Sequence, residues 1–156
     1  MRQLARTETI GRHMGKRLLG IDYGTKRIGL AISDPRQIIA SPLARVATKK
    51  NHKETAQAIK AVLEEKNFVI EKVVLGDPKL LSGEPSPLSK IIALFAKDLE
   101  QVLECPIAFF DERLTSKQGE KLLIEAKVRR KKRAKVIDTM SATLILQSYL
   151  AIPKMP

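Results

Sequence analysis

Arg17-Leu18-Leu19-Gly20-Ile21-Asp22, then Tyr23-Gly24-Thr25-Lys26, then Arg27-Ile28-Gly29-Leu30-Ala31-Ile32-Ser33 is the segment from which the fold can be read. The first six residues form a short apolar run closed by an acid, the pattern of a buried strand. Tyr23 to Lys26 supplies a turn, and Arg27 to Ser33 alternates as a second strand, so the two pair as a hairpin. Asp34-Pro35 ends it. A short third strand is predicted within Ile38 to Val46, weakened by Pro42.

Beyond the hairpin the period changes. Asn51-x-x-Glu54 is a helix-capping pattern ahead of a face carrying Ala56, Ile59 and Leu63. Val69 to Gly76 reads as a buried strand, followed by a Gly/Pro/Ser-rich loop, Asp77 to Pro85. Ser86-Pro87 is a favourable N-cap and first helical residue. After it Leu88, Ile91, Ile92, Phe95, Leu99 and Val102 recur at helical spacing. Pro106 to Glu112 is a further apolar strand, ending in two acids. Thr115-x-x-Gln118 resembles a capping box opening a helix through about Lys127; Arg129 to Arg133 reads as a basic loop, and Lys135 to Ala151 as a last amphipathic helix. A hairpin followed by strands alternating with helices specifies a mixed sheet covered by helices, an α/β domain. The predicted organisation is a leader over 1–16, one domain over 17–151 and a tail over 152–156. Met14, directly before the organised sequence, is a candidate for the native start or for an expression junction.

A chain of 156 residues fits one domain, and 44% apolar residues suffice for a core. No apolar run reaches the roughly 20 residues of a membrane-spanning helix. The single cysteine, Cys105, excludes an internal disulfide and a Cys-based zinc site, and is expected to be buried rather than reactive. His13 and His52 are too few and too far apart to suggest a His-based metal site. These features point to the reducing cytoplasm. The net charge of +12 favours a polyanionic partner, usually nucleic acid. With 4% aromatics and no Trp, phosphate contacts rather than base stacking are the expected source of affinity.

In so basic a chain, acids at the ends of buried strands require explanation. Asp22 ends the first strand, Asp111-Glu112 end the last, and Asp138 is placed in the first turn of the final helix. A carboxylate beside an apolar strand is costly unless it is paired, hydrogen-bonded or bound to a cation. Several such groups converging would suit Mg²⁺, with Mn²⁺ as a substitute, and a pair of such ions can promote phosphodiester hydrolysis. Each acid also has a structural explanation. Asp22 can be a turn former, Asp138 a helix N-terminal acid, and Asp111 a partner of Arg113 or a cap for the next turn. Spacing alone leaves these alternatives open.

Gly20-Ile21-Asp22-Tyr23-Gly24-Thr25-Lys26-Arg27-Ile28-Gly29, then Asp111-Glu112-Arg113-Leu114-Thr115, then Ile137-Asp138 with Ile145-Leu146-Gln147-x-Tyr149-Leu150, closely resembles the YqgF/RuvX family. The resemblance runs from Leu18 to Leu150. It implies an RNase H-like fold: a five-stranded mixed sheet whose first three strands are antiparallel, with helices on both faces. It also implies a nuclease, of precursor 16S rRNA or, in the earlier family description, of Holliday junctions. Carried over by residue, it implies a catalytic, metal-holding set of Asp22, Glu112 and Asp138, with Asp111 as an orienting or substitute ligand. One loop departs from the family's pattern: in Gly76-Asp77-Pro78-Lys79-Leu80-Leu81-Ser82-Gly83, Asp77 replaces an apolar residue and Ser82 an acid or amide. Asp77 stands at a strand end, where other RNase H-like enzymes place an acid; a turn residue before proline is the simpler reading.

Lys127 to Lys135 holds seven bases and no acid just before Asp138. Arg129, Arg130, Lys131, Lys132, Arg133 and Lys135, with Lys26, Arg27 and Arg113 near the other acids, are the candidate phosphate-binding residues. The expected partner is RNA, as precursor 16S rRNA or a pre-ribosomal particle, with branched DNA as the alternative and no membrane. The chain would act as a monomer or a homodimer. A non-catalytic RNA-binding assembly factor is the competing class. Gly20-x-Asp22-x-Gly24-Thr25 also resembles the first phosphate loop of actin-like ATPases and sugar kinases, but 156 residues cannot supply their two domains.

Overall fold

The computed structural model describes residues 15–115 and 130–153, and side chains in 15–115 and 139–153. Of the leader expected over 1–16, residues 1–14 lie outside the described residues and Lys16 belongs to the first strand; the helix expected from Ser116 to Lys127, and Arg129, also lie outside them. The elements are β1 (Lys16–Asp22), β2 (Arg27–Ser33), β3 (Ala40–Ala47), α1 (His52–Glu65), β4 (Val69–Asp77), α2 (Pro87–Leu103), β5 (Ile107–Asp111), a single 3-10 turn (Glu112–Leu114) and α3 (Arg130–Leu150).

The strands form one sheet in the order β3-β2-β1-β4-β5. β1, β2 and β3 are antiparallel neighbours, while β4 and β5 run parallel to β1. This is the mixed topology expected from the sequence. Pro42 is tolerated because β3 is an edge strand and its register with β2 shifts between Leu30 and Ala31, which leaves the ring outside a regular ladder.

Alternation along the strands divides the core. Leu19, Ile21, Ile28, Leu30, Val73 and Leu75 face α1 and α2, meeting Ala56, Ile59 and Leu63 of one helix and Ile92, Phe95 and Leu99 of the other. Leu18, Ala31, Val74 and Phe110 face α3 through Ala142, Ile145 and Leu146. The α3 side is lined by small residues, and the approach is close: a β-carbon at Gly20 would lie 2.7 Å from Leu146 Cβ and 3.0 Å from the Ala142 carbonyl oxygen. Gln147 of α3 ties the helix to the edge strand, accepting from the Ala40 amide at 2.9 Å and donating to the Ile38 carbonyl at 3.1 Å.

The predicted starts of α1 and α2 are observed. Asn51 Oδ1 accepts from the Glu54 amide at 2.8 Å. Ser86 and Ser89 form a reciprocal capping box, with Pro87 in the first turn. Ile91, expected on the apolar face of α2, is partly exposed at its margin. Cys105 is buried, and that burial pushes its thiol above the ordinary range, as expected of an unreactive cysteine.

Two boundaries differ from expectation. α3 begins at Arg130, so the basic run from Arg130 is helical rather than a loop. Lys, Arg and Ala are good helix formers, and no Gly or Pro interrupts the chain between Gly119 and Pro153. Asp138 therefore stands in the third turn of α3, not the first, and the attraction of an acid to a helix N-terminus does not account for it. β4 also extends one residue further, through Asp77, which pairs with Asp111 of β5 rather than opening a turn.

Candidate active site

Because β1, β4 and β5 are parallel, their C-terminal ends share one edge of the sheet, and each ends in an aspartate: Asp22, Asp77 and Asp111. The register pairs Ile21 with Leu75, Gly76 with Phe110 and Asp77 with Asp111, which puts Asp22 beside Gly76. Side-chain parity then separates the acids. Asp22 follows Leu18 and Gly20 onto the α3 face, whereas Asp77 follows Val73 and Leu75 onto the α1–α2 face. Two residues beyond Phe110, the 3-10 turn carries Glu112 back over the α3 face.

Gly76 makes room for this carboxylate. A β-carbon there would lie 2.7 Å from Ile145 Cδ1 and 2.9 Å from Glu112 Oε1, inside any acceptable contact. Glu112 is thus held between a bare strand backbone and α3, and the consequence is electrostatic. Its carboxyl is pushed up from the usual 4.5 to about 7, first by burial, then by the charge of Asp22 and a hydrogen bond with it, with Asp77 and Asp111 adding smaller contributions. The charge of Asp22 and its hydrogen bond with Glu112 both favour the protonated Glu112 carboxyl.

The other acids have local partners. Asp77 accepts from Ser89 Oγ at 2.7 Å, so the first turn of α2 holds it. Asp111 accepts from the Arg113 amide at 3.0 Å and from the guanidinium at 2.6–3.1 Å. The Arg113 hydrogen bond holds Asp111 below the ordinary carboxylate range, against a smaller opposing effect of desolvation. Both structural alternatives for Asp111, ion pair and turn cap, are therefore realised. Arg113 also reaches the Leu81 carbonyl at 3.3 Å and so links the loop after β4 to the acid-bearing turn.

Asp138 lies on the described part of α3, one helical turn before Ala142 and two before Ile145. Among the described residues no group of three or more His, Cys, Asp or Glu side chains is arranged to hold a metal; the Asp138 side chain is not among them. Lys26 and Arg27 are exposed where the β1–β2 turn enters β2, four and five residues beyond Asp22. Arg130, Lys131, Lys132, Arg133 and Lys135 occupy the first two turns of α3. Asp77, read from the sequence as a turn residue before proline with a strand-end acid as the alternative, ends its strand as Asp22 and Asp111 do but faces Ser89 rather than Glu112.

Comparison with known proteins agrees with this geometry. Residues 16–152 match the family model described as RuvX: Holliday junction resolvase. A protein of Protochlamydia amoebophila named "Putative pre-16S rRNA nuclease" is 46% identical over 138 residues, covering 86% of this chain and 92% of that protein. A Bacillus subtilis protein with the same name is 42% identical over 135 residues, covering 86% of this chain and 96% of its own length. Among solved structures, Thermus thermophilus RuvC in complex with a Holliday junction substrate superposes with a TM-score of 0.52 at 16% identity, over 86% of this chain and 94% of that one. That likeness identifies the RNase H-like fold. With the family model matched over residues 16–152 and a relative 46% identical over 86% of the chain, the chain belongs to the RuvX family.

Proposed function

We propose that this protein is a divalent-metal-dependent nuclease that hydrolyses phosphodiester bonds of folded RNA, with precursor 16S rRNA as substrate during ribosome maturation. Membership in a family of nucleases supplies the reaction class. The observation that carries the mechanism is the Asp22–Glu112 pair, two carboxylates pressed together on the α3 face with the Glu112 carboxyl pushed up to about 7. Such a pair is unfavourable in isolation and suits a hard cation bound through oxygen. The donor set therefore fits Mg²⁺ or Mn²⁺, held by Asp22 and Glu112 and completed by Asp138 from α3.

When bound, the metal supplies an activated water and charge stabilisation of the scissile phosphate. The protein's own residues do the rest. Gly76 leaves space for Glu112 above the sheet. The strand register fixes Asp22 beside it. Asp111, engaged by Arg113, orients the turn carrying Glu112 instead of serving as a first-choice ligand. Lys26, Arg27 and the basic start of α3 attract and orient the phosphate backbone. As part of this proposal the reaction takes place in the cytoplasm with its RNA substrate; Cys105 is buried and free, and no helix among the described residues is long and apolar enough to cross a membrane. Trimming one RNA end requires only a monomer, whereas paired cuts in branched DNA would require a homodimer. The resolvase reading is favoured by the family description and shares every residue of this site.

The test is cleavage of a 5′-extended 16S rRNA fragment with EDTA, Mg²⁺ or Mn²⁺, beside a four-way DNA junction. Metal-dependent cutting of the RNA is expected. Cutting of the junction alone transfers the assignment to DNA, and tight RNA binding without cutting makes the protein an assembly factor. At subsaturating metal, apparent metal affinity should rise with pH up to about 7, because the cation displaces the proton of Glu112. A flat affinity between pH 6 and 8, measured by isothermal titration, would refute that coupling.

Gly76→Ala tests the geometry. Overpacking of this kind costs about 1–3 kcal/mol, a fall of about 5 °C in Tm. The β-carbon also displaces the Glu112 carboxylate, so cleavage should fall by about tenfold or more, since each 1.4 kcal/mol lost at the transition state is tenfold in rate. Wild-type cleavage together with wild-type Tm would show that Gly76 has no such role.

A further inference from the structure

Leu81 is 96% exposed, the most exposed of the large apolar side chains among the described residues, and Leu80 beside it is 46% exposed. The loop carrying them is built, not loose. The Leu80 amide donates to the Glu84 carbonyl at 2.9 Å, and the Gly83 amide to the Leu80 carbonyl at 2.8 Å. Gly83 adopts φ +91°, a conformation that favours glycine. The loop is also anchored to the acidic edge. Arg113 donates to the Leu81 carbonyl at 3.3 Å while gripping Asp111, and Gly83 admits its guanidinium, which lies 3.5 Å from where a β-carbon would stand. A single guanidinium thus links the leucine-bearing tip to the turn that presents Glu112.

We propose that Leu81 is an apolar wedge that enters a base step of the bound nucleic acid and splays the strand beside the scissile phosphate. This deepens the nuclease reading and rests on it. Small apolar side chains projecting from an ordered element can unstack a base step when neighbouring cations hold the backbone. The cation here is Lys79, in the same loop and close enough for its charge to lower the Asp111 carboxyl. The whole chain carries +12, so a polyanion rather than an apolar protein surface is the matching occupant. Tyr23, next to Asp22, is buried against Phe95 and His52 and offers no stacking face, while the exposed Phe109 stands on β5, away from the ordered loop that carries Leu81. Opening the step gives the phosphate the freedom to descend toward Asp22 and Glu112, which lie against the sheet rather than at its outer rim.

The experiment uses full-length protein with Asp22→Asn, which binds without cutting, and a set of 16S rRNA 5′ fragments each carrying one 2-aminopurine across the processed region. Unstacking raises 2-aminopurine fluorescence. The expected result is a severalfold rise at one or two adjacent positions. Adding Leu81→Ala should abolish that rise while leaving Kd within about threefold, because phosphate contacts dominate affinity; adding Leu81→Phe instead should preserve it. Leu81 is solvent-exposed, so neither change threatens folding. An undiminished rise with Leu81→Ala, or no rise at any position, overturns the wedge. Cleavage of unlabelled RNA by the wild-type protein is scored separately. Cutting without a fluorescence rise removes the wedge alone, and a Leu81-dependent rise without cutting removes the nuclease reading and leaves the wedge.

Discussion

Asp22→Asn should reduce RNA cleavage by at least about a hundredfold, on the scale of the several kcal/mol that metal charge stabilisation contributes to such reactions. RNA affinity should remain within about threefold, since Asn keeps the shape of the strand end and phosphate contacts by the basic residues are untouched. The physical reason is that the amide cannot supply the negative charge that the pair offers a cation. A second readout follows from the same contact. Asp22 is the largest cause after burial that raises the Glu112 carboxyl, so in Asp22→Asn that carboxyl should titrate below about 7 yet above its usual 4.5, because burial persists. Carbon-detected NMR of the Glu112 carboxyl measures this. Retained cleavage with an unchanged Glu112 titration would show that the two acids do not act together.

Glu112→Gln should also abolish cleavage to a similar extent, and it should make the metal-free protein more stable. In the unfolded chain Glu112 ionises near 4.5, whereas in the fold it holds its proton to about 7. Below the lower value both states are protonated and the group contributes nothing to the pH dependence. As pH rises through the window the unfolded state gives up its proton first, so the fold loses stability, and the full penalty is present above about 7. Converted in full the shift is about 3.4 kcal/mol, and solvent screening of this half-buried carboxyl lowers it to about 1–2 kcal/mol, so metal-free Glu112→Gln at pH 8 should melt about 2–8 °C above wild type. The difference should vanish below about pH 4.5, within the range where the fold survives. Saturating Mg²⁺ should raise the wild-type Tm and leave the variant's unchanged, closing the gap, because a cation that binds only the folded wild type stabilises it by mass action. Calorimetric melting at pH 4 and pH 8, with and without Mg²⁺, tests all three statements. A variant less stable than wild type at pH 8 without metal would show that Glu112 supports the fold rather than burdening it.

Much of this architecture is written locally. The apolar run ending at Asp22, the turn after it and the alternating run to Ser33 determine a hairpin by short-range rules alone, and the hairpin is observed. Asn51 and Ser86-Pro87 determine where α1 and α2 begin, because capping involves only residues three or four apart. The two acidic motifs likewise stand out in a basic chain, and their order matches the family's. What sequence could not convey is distance between strands. Asp22 and Glu112 are separated by most of the chain, and only the parallel pairing of β1, β4 and β5 brings their ends to one edge.

Tertiary structure also decided which acid does what. Two-residue parity sends Asp22 to the α3 face and Asp77 to the face of Ser89, a distinction that depends on register and cannot be read from a strand considered by itself. Helical propensity carried α3 back to Arg130, so Asp138 belongs to a packed helix and not to a helix terminus. The need for Gly76 became visible only once Glu112 and Ile145 stood over it. The sequence by itself determined the hairpin, the starts of α1 and α2, the charge that seeks a polyanion and the identity of the acids. The fold alone determined their proximity, because a perturbed carboxylate arises from neighbours distant in the chain, and those become neighbours only when the sheet has assembled.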